Sequence, residues 1–240
     1  MRKSLAVAAF VAAGFAVPAW SSTPIDQLGN LGQSDFKLLT EDLGGALSYK
    51  PLVPSTTLGL TGFDIGIAAT STKLNNPQVL DLASSGTAPS SVVIPRVTLV
   101  KGLPFGFDIG GFYSEVPSSN IKLYGAELRY ALIDGGVVKP TVALRGSYTK
   151  LTGVSQLGFD TTGLDISISK GIAFFTPYLG VGKVWATGTP NGIPTLSQES
   201  VSMNKVYGGV GFTFLLMNFL VEGDKTGNTT TYGAKIGLRF

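Results

Sequence analysis

The sequence contains neither histidine nor cysteine. Without histidine it lacks the usual general base and the commonest transition-metal ligand, and without cysteine it lacks a thiolate nucleophile and a disulfide framework. Ser-His-Asp and Cys-His catalysis are therefore excluded, as is a lipidated N-terminal cysteine. We expect no catalytic residues, no metal and no cofactor.

Charge and long apolar runs are also scarce. Charged residues make up 14% of the 240-residue chain, against about 25% in an ordinary soluble domain, whereas glycine is abundant at 32 residues. After residue 20 no stretch approaches the roughly 18 consecutive apolar residues that a membrane-spanning helix needs. This composition argues against a soluble helical enzyme, and the apolar residues must be dispersed along the chain.

Residues 1–19 have the three zones of a secretory signal peptide. Arg2-Lys3 supplies the positive charge, and Leu5–Val17 the apolar core. We expect cleavage after Ala19, with Ser21 as the second choice; a buried N-terminal helix is the alternative. Removal of the two basic residues leaves positive and negative charges nearly balanced, so no electrostatic argument for nucleic-acid binding remains.

The next segment, residues 20–56, differs from the rest of the chain. Apolar residues fall at helical spacing behind Ser34, a candidate N-cap, and Pro51 and Pro54 end the pattern. This predicts a short amphipathic helix, weakened by Gly44-Gly45, in a segment that is either periplasmic or a plug. The apolar residues of the predicted helix are Phe36, Leu39, Leu43, Ala46 and Leu47.

From residue 57 to 240 the apolar pattern has a period of two and is broken by clusters of Gly, Pro, Asn and Asp, which is typical of strands and turns. Each run is long enough for a tilted strand to cross a bilayer. The ten runs lie near residues 57–72, 91–101, 105–115, 121–133, 137–150, 157–169, 174–187, 204–216, 219–226 and 230–240.

The connections between these runs alternate in length. Long polar segments at 73–90 and 187–203 follow odd-numbered strands, whereas even-numbered strands are followed by tight links at Lys101–Pro104, Asp134–Gly136, Lys170–Ala173 and Met217-Asn218. An even number of strands with short turns at one end and longer loops at the other is typical of outer-membrane barrels. The sequence therefore predicts an all-β fold, an antiparallel up-and-down transmembrane β-barrel of about ten strands.

The two faces of the predicted strands differ in polarity. In the last strand the apolar side chains alternate with Lys235 and Arg239. Aromatic residues are predicted to gather in two belts, as bilayer interfaces select. The turn-end belt contains Phe105, Tyr130, Phe175, Phe214, Phe219 and Phe240, and the loop-end belt contains Tyr113, Tyr124, Tyr148, Trp185 and Tyr232.

Charged residues on the opposite face mostly alternate in sign from strand to strand, so they can pair across the barrel. This predicts a self-neutralised, largely filled polar interior; Lys183 has no assigned face. The predicted network consists of Asp64, Arg96, Asp108, Glu127, Arg129, Lys139, Arg145, Asp165, Lys205, Glu222, Asp224, Lys235 and Arg239.

Short motifs give only weak signals for chemistry. A repeated Gly-x-Asp-Ile pattern could place three aspartates around a hard cation, but a sequence pattern that recurs from hairpin to hairpin explains it better. Two serine–lysine pairs fit the S-x-x-K motif of β-lactamases, and residues 225–227 fit K-T-G. In those enzymes the serine begins a helix, whereas Ser147–Lys150 and Ser167–Lys170 lie in predicted strands.

The signal peptide, the amphipathic strands and the terminal run YGAKIGLRF resemble bacterial outer-membrane β-barrel proteins of the small, porin-like class. The resemblance covers about residues 57–240 and implies outer-membrane lipids and the barrel-assembly machinery as partners. In that class the terminal strand carries the assembly signal. The matching positions here are Tyr232, Ile236, Leu238 and Phe240.

The sequence constrains the function of the protein less than its structural class. Barrel enzymes of this class rely on histidine, so the leading hypothesis is a non-enzymatic outer-membrane barrel, either structural or a narrow pore. A second hypothesis is a small-solute transporter with residues 20–56 as its plug. A third is an adhesin that binds an extracellular ligand through loops 73–90 and 187–203, and a secreted soluble β-sandwich is the runner-up.

Overall fold

The computed structural model describes residues 25–84, 89–115, 121–136 and 138–240. The predicted signal peptide lies outside the described residues. Ten antiparallel strands form a closed barrel in which each strand pairs with its neighbours in sequence, and β1 pairs with β10. The strands are β1 Phe63–Lys73, β2 Ser91–Gly102, β3 Phe107–Glu115, β4 Lys122–Ile133, β5 Thr141–Thr152, β6 Leu157–Ser169, β7 Phe175–Pro190, β8 Glu199–Phe214, β9 Met217–Thr226 and β10 Thr229–Arg239.

Two α-helices and two short 3-10 turns accompany the barrel: α1 Gln33–Leu47, α2 Pro77–Leu82, and the turns Leu28–Asn30 and Pro104–Gly106. The predicted helix is present, but Ser34 is not its N-cap. Gly32 occupies that position and no side chain caps the helix, so the extended backbone of a glycine substitutes for a hydroxyl cap. Within the described residues, no helix is long and apolar enough to span a membrane.

The strand boundaries differ most from the predicted runs at four places, one of which is the start of β5 at Thr141 rather than near residue 137. Residues 57–62 precede β1, and β7 and β8 continue through much of the segment predicted as a loop, with Gly188 opposite Glu199. That loop is therefore residues 191–198 rather than 187–203. The Ser and Thr residues of this segment favoured a loop in the prediction because they are polar. In the structure they extend β7 and β8 beyond the apolar part of the wall.

The outer wall of the barrel is apolar over its middle and aromatic at both rims. Aliphatic side chains such as Ile67, Leu128 and Val181 are exposed between the belts. Phe175 of the turn-end belt is half-buried, and the other ten predicted belt residues are exposed. A closed barrel with this surface satisfies every strand edge internally while presenting hydrocarbon-compatible side chains, so it is a transmembrane barrel of the outer-membrane type.

The interior has two halves of different chemistry. Near the short turns the inward side chains are charged, as predicted. Near the long loops the prediction of a polar centre holds only in part: buried threonines such as Thr72 and Thr231 bond each other, but other inward residues there form an apolar core. Its wall residues include Val92, Ile94, Leu123, Leu151, Leu157, Phe159, Val184, Ala186, Val201 and Met203.

The N-terminal segment explains this division. Helix α1 lies inside the loop end of the barrel, where Phe36, Leu39 and Leu43 are buried in the apolar core. Residues 48–62, here called the strap, then run down the lumen to the turn end, where β1 begins. The chain thus passes down the centre of the barrel before it builds the wall.

Candidate functional site: the filled lumen

The predicted charge network extends from the turn end past the middle of the lumen, where Arg96, Lys205 and Asp224 lie, and most of its members are ion-paired. Arg129 binds Asp108 at 2.7 Å, and Lys235 and Arg239 both reach Asp64. The carboxylates lie on strands next to or near those of their cations, as alternation in sign requires. Buried charges of this kind are tolerated only when paired and hydrogen-bonded.

Arg145 is the centre of a second cluster. Its guanidinium lies 2.7 Å from Asp165 on β6 and 3.2 Å from Glu127 on β4. It also donates to the hydroxyl of Tyr207 on β8, and that hydroxyl donates to Asp165 over 2.6 Å. One side chain of β5 therefore links three other strands across the barrel.

The strap meets the network through its backbone. Lys205 donates to the carbonyl of Tyr49 over 2.5 Å, and Arg129 donates to that of Pro54 over 2.8 Å. Lys235 binds the carbonyl of Leu52 at 3.3 Å, and Arg239 binds that of Thr56 at 2.9 Å. The strap is extended but is not paired with a neighbouring strand. Its carbonyl groups therefore accept hydrogen bonds from the lysine and arginine side chains of the wall.

Carboxylates of the wall satisfy the strap's amide groups in the same way. Glu222 accepts from the amide of Leu52 at 3.1 Å, and Asp108 accepts from the amide of Leu58 at 3.1 Å. Leu52 has a φ of 47° and is fully buried. A leucine adopts this left-handed conformation only when its surroundings fix it, and here both of its backbone groups are bound to charged side chains.

Lys50 is the member of the network that sequence reasoning missed. Its ammonium lies 2.5 Å from Asp224, donates to the carbonyl of Gly45 over 2.8 Å, and is buried. Lys205 reaches the same carboxylate at 3.6 Å. Alternation with a period of two identifies inward-facing charges only on strands, and Lys50 is not on a strand. Its position between a predicted helix and Pro51 is the one sequence feature that sets it apart.

Two buried members of the predicted network have no ion-pair partner among the described residues: Arg96 and Glu222. Arg96 donates to the hydroxyl of Thr70 over 2.9 Å and lies 4.4 Å from the centre of the Phe112 ring. Glu222 accepts from the hydroxyl of Tyr178 over 2.7 Å. Hydrogen bonds and ring contact stabilise these two groups in place of an opposite charge.

The prediction for Lys139 is wrong. The residue precedes Pro140 in the turn before β5 and is exposed, because the strand begins only at Thr141. Lys183, which had no assigned face, is also exposed and lies on the outer wall beside Trp185.

Helix α1 packs closely against the loop half of the wall, and its two glycines permit this. A Cβ on Gly45 would lie 2.9 Å from the Cβ of Thr229, and one on Gly44 would lie 2.8 Å from the Cβ of Ala186. Two helical glycines cost roughly 2 kcal/mol in propensity. Burial of several large apolar side chains, at about 1.5–3 kcal/mol each, exceeds this cost.

The N-terminal segment also fastens the connections at the loop end. The side chain of Gln33 bonds the backbone of Ser197, and the amide of Leu28 donates to Gln156 over 3.0 Å. Asp42 accepts from the amide of Asn76 over 2.6 Å. Burial raises the pKa of the Asp42 carboxyl above its usual range, although the bonds to Asn76 oppose the shift.

An open cleft of about 310 Å³ remains at this end, between α1 and the rim formed by β8 and the β9–β10 turn. Glu41, Asn204 and Asn228 are among its lining residues. The strap occupies the lumen beneath α1, so the filled interior lies between this cleft and the turn end.

The motifs considered for chemistry do not assemble into sites. Asp64, Asp108 and Asp165 each face a lysine or arginine, and the described residues contain no group of acidic side chains that could hold a metal. Ser147 and Lys150 point to opposite faces of β5, because residues three apart in a strand do so. Lys170 bonds turn carbonyls at Gly136 and Lys139.

The terminal residues predicted as an assembly signal lie on the outer face of β10. Tyr232, Leu238 and Phe240 are exposed and Ile236 is partly exposed. Phe240 exchanges two backbone hydrogen bonds with Phe63, of 2.8 and 3.0 Å, and so completes the seam between the first and last strands.

No protein-family model matches the sequence, and comparison with curated proteins gives no match. Among solved structures, the chain is similar to the N-terminal β-barrel domain of Pseudomonas aeruginosa OprF, with 16% identity and a TM-score of 0.39 over 74% of this chain and 97% of that one. The outer-membrane protease OmpT from Escherichia coli gives 9% identity and a TM-score of 0.39 over 75% and 95% of the two chains. The outer membrane protein OprG from Pseudomonas aeruginosa gives 11% and 0.33 over 78% and 99%.

Proposed function

We propose that this chain is a non-enzymatic outer-membrane barrel that is closed by its own N-terminal segment. One observation carries the proposal: four cations and two carboxylates of the wall are hydrogen-bonded to the backbone of the strap. These bonds extend from the turn end past the middle of the lumen, and α1 fills the remainder at the loop end.

The energetics favour a plug that stays in place. Hydrogen bonds to charged groups contribute about 1.5–3 kcal/mol each, and a buried charge left unsatisfied costs more. Departure of the strap would strip partners from six charged side chains at once and would expose the apolar face of α1. A small barrel whose interior is filled in this way leaves no aqueous path.

The chemistry of the chain supports the absence of an enzymatic role. The sequence has no histidine or cysteine. The buried carboxylates of the network face cations or hydroxyl donors rather than a cavity open to a substrate. The network therefore serves to hold the strap and the wall together.

A disulfide between strap and wall tests the proposal. The hydroxyls of Ser55 and Ser167 lie 2.7 Å apart, and the chain has no native cysteine. The Ser55→Cys/Ser167→Cys variant should therefore oxidise cleanly. We expect the unmodified protein and both redox forms of the variant to give no unit currents in planar bilayers.

Two further measurements make the result decisive. A variant without residues 25–56 should conduct if it folds, which altered gel mobility of unheated samples would establish. Steady currents from the unmodified protein would contradict closure. Currents from the reduced but not the oxidised variant would instead establish a movable plug, and so the small-solute transporter.

A further inference from the structure

The outer face of five adjacent strands, from β7 through β10 to β1, has only one kind of charge within the described residues. Its charged side chains are Lys183 on β7, Lys225 on β9 and Lys73 on β1, here called the lysine patch. All three are exposed. They lie in the loop half of the wall: Lys73 and Lys225 are two residues beyond the level of Tyr232 of the loop-end belt, and Lys183 is two residues from Trp185 toward the turn end.

No described carboxylate lies within ion-pair distance of the lysine patch. The other half of the same rim differs. Lys122 pairs with Glu115 at 3.4 Å, and Lys150 lies directly opposite Asp160 in the β5–β6 ladder. The rim is therefore compensated on one side and left positive on the other.

Lys183 makes the contrast sharpest. It lies two residues from Trp185 on the side facing the turn end, opposite Leu164 on one neighbouring strand and Asn204 on the other. A lysine on the lipid face costs about 2–4 kcal/mol at the midplane and about 0–1 kcal/mol near an interface. Its ammonium can extend to the interface, where an anionic group is a favourable partner.

The spacing of the patch suits a phosphate group. Val206 on β8 pairs with Lys225, and Thr230 on β10 lies between Lys225 and Lys73. Strands lie about 4.8 Å apart, so Lys225 and Lys73 are separated by roughly 10 Å across β10. Lys183 pairs with Asn204, two residues from Val206, so its separation from Lys225 across β8 is larger, roughly 12 Å. Two flexible lysine side chains can converge on an anion above that strand.

We propose that the lysine patch binds the phosphate groups of a phosphorylated glycolipid in the outer leaflet, with the aromatic belt against its acyl chains. This rests on the placement of the barrel in the outer membrane and does not depend on closure of the lumen. Lysine is a point-charge partner for phosphate, and the neutral side chains between the three lysines, Asn204 and Thr230, can donate further hydrogen bonds.

Binding of purified lipid A to the full chain in zwitterionic detergent tests the proposal. With Trp20→Phe, Trp185 beside the patch is the sole tryptophan and reports binding by its emission. We expect Lys73→Gln/Lys183→Gln/Lys225→Gln to weaken binding on the order of a hundredfold, given about a fivefold effect per lysine near a charged surface. Lys122→Gln/Lys150→Gln, on the compensated half, is the matched control and should change affinity less than about threefold.

The outcomes separate the possible sources of the anion. Dephosphorylated lipid A should bind the unmodified protein as weakly as lipid A binds the triple variant. If inorganic phosphate displaces lipid A at a concentration similar to that of lipid A itself, the lipid assignment is overturned. Equal losses of affinity in the triple variant and its control would show that only the overall positive charge matters, and would overturn the proposed patch. If the triple variant does not fold, the single Lys183→Gln change must still lower the affinity several-fold. Conductance of the barrel in planar bilayers would contradict closure of the lumen but would not affect this binding result.

Discussion

At the scale of single residues, Arg145 shows how the barrel uses buried charge. Its two carboxylate partners, Asp165 and Glu127, lie on the strands to either side, and Tyr207 lies across the lumen. An isolated pair would offer little net stability after desolvation. Here the guanidinium satisfies several groups at once, so its loss would leave more than one buried charge without a partner.

We expect Arg145→Ala to lower the free energy of unfolding by about 3–5 kcal/mol, because breaking a buried pair strands the remaining charges. Thermal unfolding in detergent measures this. Ser84→Ala is the control, since the Ser84 hydroxyl has no hydrogen-bond partner among the described residues and should lose almost nothing. Similar, small shifts in both variants would contradict the assignment of Arg145 to the network.

The sequence allowed twelve of the thirteen predicted charges to be placed correctly in the lumen wall, because period-two alternation determines the face of a strand residue. Lys139 failed because alternation says nothing about where a strand begins after Pro140. Lys50 lies off the strands altogether, and only the path of the strap brings it to Asp224. The set of inward charges was thus predictable, and what they bind was not.

At the scale of elements, α1 is held by fit rather than by helix propensity. Gly45 faces Thr229 and Gly44 faces Ala186 with no room for a methyl group. The five apolar positions read from the sequence are all buried. Periodicity therefore predicted the helix and its apolar face, whereas the partner of that face, the upper lumen, depended on a strap that has no periodic signal.

Gly45→Ala should unseat the helix. Overpacking of a close contact costs about 1–3 kcal/mol, so we expect faster cleavage of α1 by added protease while the barrel itself stays resistant. Thr229→Gly should restore resistance in the Gly45→Ala background, because it removes the atoms that the new methyl group meets. A Gly45→Ala protein as resistant as the unmodified one would show that α1 is not packed there.

The last strand carries a separate prediction about assembly in the cell. Phe240→Ala leaves the backbone bonds to Phe63 in place, so refolding of purified protein in detergent should be normal. If the terminal residues act as a signal to the assembly machinery, the amount of folded barrel in the outer membrane should fall several-fold. Leu215→Ala, at another exposed apolar position of the turn end, is the control, and equal yields would contradict the signal.

At the scale of the whole molecule, the path of the chain sets which side of the membrane each part faces. The N-terminal segment enters at the loop end, and the strap leaves at the turn end to begin β1. If the loops face the cell exterior, then α1 does so as well, and we expect the described part of the segment, residues 25–56, to be a plug rather than periplasmic.

Cysteine labelling on intact cells tests that orientation against no native background. Lys37 on α1, Thr195 in the β7–β8 loop and Lys139 in the β4–β5 turn are all exposed. We expect an impermeant maleimide to label Lys37→Cys as fast as Thr195→Cys, and Lys139→Cys only after the outer membrane is permeabilised. Labelling of Lys37→Cys that requires permeabilisation would place the segment on the opposite side.

The strap also constrains the order in which the molecule can be made. Backbone bonds join β1 to β10 along the whole seam, so a finished cylinder offers no sideways entrance to its axis. Drawing α1 endwise through a completed cylinder would push its bulky apolar residues past a ring of charges. Pairing of β1 with β10 must therefore be the last step of barrel formation, after the strap is already in place along the barrel axis. Any delay in placing the strap leaves the barrel open between β1 and β10.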